Sequence, residues 1–198
     1  MSFITPEVRM SIRRSTLPVI GAVALFVGLL PVSLTGGART SSASVVVHGT
    51  PDVPDRVAGT YARRYGIDLG LANTIYRIAR EHQLEPAAVF GLIATESGFD
   101  PQAVGETGSI GLMQIKPSTA RFYDPSASRE RLFRPETNLR VGMAHLSREL
   151  AHFRDNWTLG LLSYNMGRTR VSRALANGVI PRNGYANKVL AHCGKLCS

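Results

Sequence analysis

The sequence predicts an all-α domain behind an N-terminal export segment. Three observations predict it. From about Asp55 onward, apolar residues recur at spacings of three and four, the period of a helix face. No stretch sustains the apolar–polar alternation of a half-buried strand. Proline and glycine sit where helices start and stop: Pro86, Pro117 and Pro135 precede helical runs, and Gly66, Gly98 and Gly178 follow them. There is no internal repeat. The expectation is one compact domain of about seven or eight helices.

The N-terminus is a targeting segment. Arg9, Arg13 and Arg14 form a positive region, Leu17 to Leu30 is an uncharged run, and Pro31 breaks it. That run has signal-peptide length and is short for a membrane span. Small residues follow (Gly36, Gly37, Ala38, Ser41, Ser42 and Ala43), so cleavage is expected after Ala38 or Ala43, although neither site matches A-x-A well. Left uncleaved, the segment is a signal anchor and the protein's one membrane contact. The chain therefore divides into 1–43 signal peptide or anchor, 44–54 linker and 55–198 domain. The linker is rich in small and turn residues apart from Val45-Val46-Val47.

Within the domain, a first helix is expected over Arg56 to Tyr65, ending at Gly66. A second runs from Leu71 to His82, with Leu71, Ile75, Ile78 and Ala79 on one face. The third opens at Pro86, whose missing N–H costs nothing in a first turn. Its face of Val89, Leu92 and Ile93 ends on Glu96. Gly98 and Pro101 stop it, and the glycine-rich stretch 98–111 reads as loop and tight turns. A short helix over Ser118 to Phe122 and an irregular stretch 123–134 come next. The longest helix, Glu136 to Phe153, carries a continuous stripe of Leu139, Met143, Leu146, Leu150 and Phe153. Three more are expected over Thr158 to Asn165, Arg168 to Asn177 and Tyr185 to Leu196.

Chemistry points to Glu96. A carboxylate at a helix C-terminus, among apolar neighbours, has its pKa raised by the negative end of the macrodipole and by desolvation. Both keep it protonated near neutral pH, which a general acid requires. The nearest other acids, Asp100 and Glu106, are the candidates for a second carboxylate. The formal net charge of +9 favours anionic partners. The arginines are dispersed and no nucleic-acid motif accompanies them, so nucleic acid is not an expected partner. His48, His82, His145, His152 and His192 are scattered without metal-ligand spacing, so no metal or other cofactor is implied. Cys193 and Cys197 are the two cysteines. In an oxidising compartment they could close a small disulfide loop or remain free thiols.

Four segments, in order, resemble the lytic transglycosylase family that shares the goose-type lysozyme-like fold. They are E-S-G-F-D-P-Q-A from Glu96, G-S-I-G-L-M-Q-I-K-P-S-T-A from Gly108, N-L-R-V-G from Asn138 and S-Y-N-M-G from Ser163. Order and spacing agree from Glu96 to Gly167. The sequence departs where Gly105 replaces a usual serine, Ser109 an alanine, and Ser163 and Met166 alanines. The Pro181 to Tyr185 segment is shorter than the commonest version.

The resemblance implies a compact lysozyme-like fold and one catalytic carboxylate, Glu96, acting on peptidoglycan. Glu96 would protonate the oxygen of the β-1,4 bond between N-acetylmuramic acid and N-acetylglucosamine. It would then take the proton of the C6 hydroxyl, leaving a 1,6-anhydro end. Ser97 and Gln114 would line the groove beside it, and Tyr164 would orient the carboxylate. Met113 would offer an apolar contact to a sugar, with simple core packing as the other reading. Asn165 would contact substrate or, with Gly167, shape the turn after its helix, and Asn138 would brace a helix. Two alternatives stay open: a hydrolytic muramidase with the same Glu96, and a non-catalytic glycan-binding scaffold. The expected setting is a bacterial periplasm, with an inner-membrane anchor if the signal persists, and an envelope-spanning secretion or conjugation assembly as a further partner.

Overall fold

The computed structural model describes residues 53–193. The export segment expected over 1–43, the linker up to residue 52 and Cys197 lie outside the described residues. The described chain is helical. Its eight α-helices are α1 Val53–Tyr65, α2 Leu69–Glu81, α3 Pro86–Glu96, α4 Pro117–Tyr123, α5 Pro135–His152, α6 Trp157–Met166, α7 Arg168–Ala176 and α8 Tyr185–Leu190. Among the described residues there is no strand, only isolated bridges pairing Ile110 with Val104 and with Ile115. Nor is any helix there long and apolar enough to cross a membrane.

The expected helices are present among the described residues, and side chains cap the N-termini of α2, α3 and α6. Helix α2 begins two residues earlier than its apolar pattern, because the Asp68 carboxylate accepts a hydrogen bond from the Leu71 N–H at 3.1 Å. Asn156 does the same for α6, through the Leu159 N–H at 3.0 Å. Helix α1 starts at Val53 rather than Arg56, with Pro54 accommodated in its first turn. The irregular stretch before Pro135 contains a 3₁₀ turn, Arg131–Phe133. Helix α8 stops at Leu190, short of the expected Leu196, and residues 191–193 form a turn.

Helix α3 is the central element. Its residues from Pro86 to Ile93 are all buried, not just one face. Helix α8 crosses it closely at Gly91, where an added Cβ would lie 2.6 Å from the Val189 carbonyl oxygen. Side chains that small let two helices approach, and this approach brings the first residue of α8 to the last of α3. The stripe on α5 packs inward as expected, with Leu139, Met143, Leu146 and Leu150 buried and Phe153 half-buried. Tyr61 stacks on Phe90 with ring centroids 4.1 Å apart, joining α1 to α3.

The glycine-rich stretch between α3 and α4 is held by one buried side chain on α5. The Asn138 amide donates to the Ile110 and Leu132 carbonyls at 2.8 and 2.9 Å, and its oxygen accepts from the Met113 N–H at 2.8 Å. Asn138 thus braces a loop rather than touching solvent, and three buried backbone groups find partners in it.

Candidate active site

Glu96 closes α3 at the point where the chain reverses. Gly98 and Phe99 both take left-handed backbone angles, φ 60° and 68°, and send the chain back along the domain surface. Glu96 lines a cleft of about 550 Å³ together with Thr107, Gln114, His145, Tyr164 and Asn165. It is the single carboxylate on that lining among the described residues. Asp100 is exposed and caps its own turn through the Gln102 N–H, and Glu106 is exposed off the cleft, so neither stands opposite Glu96.

Burial raises the Glu96 pKa above the ordinary glutamate range. Two groups on α8 pull the other way: the Tyr185 hydroxyl, which donates to the carboxylate, and the Lys188 charge. The net shift is upward. Tyr185 itself is pushed well above its usual value by burial and by the nearby carboxylate, so it stays a donor. Nothing in the local sequence marked Tyr185 as a partner of Glu96. Its only signal was position, the first residue of the last helix after the Asn183-Gly184 turn.

The structure sorts the other expected residues into two groups. Gln114, Tyr164 and Asn165 line the cleft with Glu96. Ser97 and Met113 do not. The Ser97 hydroxyl donates to the Leu112 carbonyl at 2.8 Å and so ties the end of α3 to the loop. Met113 is fully buried, because α5 presents Gly142 to it; an added Cβ there would lie 2.8 Å from the Met113 Cβ. Tyr164 lies near Glu96, but its hydroxyl donates to the Met113 carbonyl at 2.7 Å, not to the carboxylate. The tyrosine that donates to the carboxylate is Tyr185 rather than the expected Tyr164, and α8 delivers it across Gly91. Asn165 accepts from the Asn183 side chain at 2.8 Å and links α6 to the segment before α8.

Gln114 sits at φ 48°, and this backbone turns its amide onto its own loop. The amide nitrogen donates to the Gly111 carbonyl at 3.0 Å and the Ala103 carbonyl at 3.3 Å. Its oxygen accepts from the Ser109 hydroxyl at 2.7 Å. The departures at Gly105 and Ser109 are one feature. A Cβ at Gly105 would lie against the Ser109 hydroxyl and 2.6 Å from the Gln114 amide oxygen, so the hydroxyl occupies space that a larger residue would fill. Gly105→Ser is expected to cost about 1–3 kcal/mol in urea unfolding through overpacking. Adding Ser109→Ala should recover about 1 kcal/mol or more, because the two changes share one space. Additive losses in the double variant would contradict the coupling.

Behind the cleft wall lies a second carboxylate that the sequence did not reveal. Glu149 on α5 is 3% exposed. Burial pushes its carboxyl up, but the hydrogen bonds from Arg168 and Ser163 outweigh that and hold it below the usual range. The Arg168 guanidinium grips it with two nitrogens at 2.7 and 3.0 Å, and the Ser163 hydroxyl donates to it. His145 Nδ1 is 3.6 Å from Glu149 and 3.0 Å from the Tyr123 hydroxyl. Burial nevertheless holds the imidazole pKa below its usual value. The Ser163 departure from alanine was the one available signal for Glu149.

Residues 73–179 match the family described as the transglycosylase SLT domain. "Membrane-bound lytic murein transglycosylase C" of Actinobacillus pleuropneumoniae serotype 5b is 29% identical over 111 residues, covering 52% of this chain and 29% of that protein. The "transglycosylase" of Enterobacteria phage PRD1 is 30% identical over 123 residues, covering 62% of this chain and 43% of its own. The crystal structure of the 70 kDa soluble lytic transglycosylase from Escherichia coli aligns with a TM-score of 0.58 at 26% identity, over 69% of this chain and 25% of that one. The chain thus spans less than half the length of these relatives.

Proposed function

The chain belongs to the transglycosylase SLT domain family, and from that premise we propose that it cleaves peptidoglycan as a lytic transglycosylase with Glu96 as its acid and then its base. The observation that carries this reading is the site's single carboxylate: half-buried, raised in pKa, hydrogen-bonded by Tyr185 and unaccompanied by another acid on the cleft lining. Most glycosidases need a second carboxylate as nucleophile or base. Here the substrate's own C6 hydroxyl takes that place.

Protonated Glu96 gives its proton to the oxygen linking N-acetylmuramic acid to N-acetylglucosamine, and the C1–O bond breaks. The ionised Glu96 then accepts the C6 hydroxyl proton as that oxygen bonds to C1. A 1,6-anhydro ring forms and Glu96 regains its starting state, with no water consumed. One group serving as acid and then base needs an intermediate pKa. Burial supplies the upward shift, and Tyr185 and Lys188 temper it. The hydroxyl of Tyr185 also stabilises the carboxylate during the interval in which it is charged. In this reading Gln114 shapes the cleft wall, since its amide atoms are engaged by the loop. In this reading the activity acts on the periplasmic wall, which an export segment over 1–43 would let it reach.

Mass spectrometry of fragments released from purified peptidoglycan tests the reaction. Anhydro-muramic ends are expected. Reducing muramic ends alone would establish a hydrolytic muramidase, and binding without release would establish a glycan-binding scaffold. Tyr185→Phe should lower kcat about tenfold, the loss of one hydrogen bond to a charged group. Because that bond lowers the Glu96 pKa, its removal should also move the high-pH limb of the rate profile to higher pH. An unmoved limb would show that Tyr185 does not act on Glu96.

A further inference from the structure

The cleft is not closed at its α7 side. It adjoins a second, shallower concavity, and the two share Met166, Gly167 and Arg168 in their walls. The second one is lined by Arg168, Thr169, Arg170 and Arg173 on α7 and by Asn177 just after it, with no acid among its residues. That shelf belongs to a longer one-signed stretch. From 157 to 193 the chain contains Arg168, Arg170, Arg173, Arg182 and Lys188 and no aspartate or glutamate. The same stretch supplies Tyr164 and Asn165 to the cleft and Tyr185 to Glu96, so the acid-free stretch runs from the cleft wall onto the shelf.

The three shelf arginines are not equivalent. Arg168 is committed to Glu149. Arg170 and Arg173 are exposed and form no ion pair with any described acid. They stand three residues apart, which puts them on one helix face, while Val171 between them is fully buried and fixes which side of α7 turns inward. Two guanidiniums on a fixed helix face, beside a cleft read as holding a neutral sugar backbone, match fork-shaped anions carried by that backbone. Peptidoglycan has such groups in the free carboxylates of the peptides attached to its muramic residues.

Resting on the proposed peptidoglycan reading, we propose that Arg170 and Arg173 form a subsite for the carboxylates of the acidic peptide stem as it leaves the cleft. The shelf then makes this chain prefer stem-bearing glycan over bare glycan. Neither the Glu96 chemistry nor the transglycosylase relatives' names carry that preference.

The test is a binding comparison with the Glu96→Gln protein, so that no strand is cut during measurement. Affinity is measured for solubilised stem-bearing strands and for the same strands stripped of peptide by an amidase. Two charge-assisted contacts at an exposed site predict a preference of about tenfold for the stem-bearing strands. Adding Arg170→Gln with Arg173→Gln should reduce that ratio to within about twofold of unity. Arg80→Gln with Arg154→Gln, which removes the same charge elsewhere, should leave the ratio in place. An equal affinity for both strands in the starting protein overturns the subsite. So does an equal loss of the ratio in both double variants, which would mean bulk charge alone. Cleavage is read separately on the parent chain. A parent that shows the preference but releases no fragments overturns the proposed reaction and leaves the subsite standing.

Discussion

Glu96→Gln should abolish turnover, with a fall of about a thousandfold or more in the release of fragments from peptidoglycan. General acid–base catalysis by one positioned group contributes about 10²–10⁴-fold, and here one group is asked to act in both steps. Gln keeps the shape of the side chain and can still accept the Tyr185 hydroxyl bond, so the loss reads proton transfer rather than packing. The same substitution has an opposite effect on stability. Burial raises the folded-state pKa of Glu96, so the native protein holds a proton that the unfolded chain releases. Stability is therefore lost as pH rises from the ordinary glutamate range through the raised folded value, and the deficit persists above it. Gln has no such proton. Urea unfolding should show Glu96→Gln more stable than the parent at about pH 8 and close to it at about pH 3. A variant that keeps turning over would remove Glu96 from the mechanism. A variant less stable than the parent at high pH would mean that the carboxylate is not held at a cost.

Arg168→Ala should be the most destabilising single change in the cleft wall. Glu149 is buried while Arg168 is half-buried, and removing the arginine leaves the buried carboxylate unpaired, at a cost of about 3 kcal/mol, the lower end for a buried pair. Glu149 would retain only the Ser163 hydroxyl and His145, an imidazole that burial keeps largely neutral. For a domain of this size that loss corresponds to a fall of roughly 10 °C in Tm. The pH dependence has a defined sign. The folded Glu149 pKa is depressed, so its contribution is present above the unfolded value and is lost as pH falls through the depressed folded value. The gap between parent and variant should therefore narrow towards about pH 3, where Glu149 can be buried protonated. The triple variant Glu149→Leu/Ser163→Ala/Arg168→Ala should regain most of the loss, since an apolar replacement of a buried ion network is often neutral or better. If the triple variant is no more stable than Arg168→Ala, packing of the arginine stem outweighs the buried charge.

Much of this site was legible along the chain because the relevant interactions are local. Glu96 ends α3 at the predicted residue, since Pro86 fixes one end of the helix and Gly98 the other. The α5 stripe faces the core because spacings of three and four permit no other face to be buried. The motif pieces around Gln114, Asn138 and Tyr164 do meet, with Asn138 as the bracket between loop and helix.

What the sequence by itself determined was the helical order and the place of Glu96 at the end of α3, both of which follow from short-range periodicity and from glycine and proline stereochemistry. The tertiary structure decided which groups act on one another. It set Tyr185 rather than Tyr164 on Glu96, turned Met113 into the core, engaged the Gln114 amide with its own loop, and joined Glu149 to Arg168 across α5, α6 and α7. The physical reason is that helix periodicity fixes which face of an element is buried. The partner that face meets depends on how closely two elements can approach, and this is decided by the absence of a side chain at Gly91, where α8 meets α3, and at Gly142, where the Met113 loop meets α5.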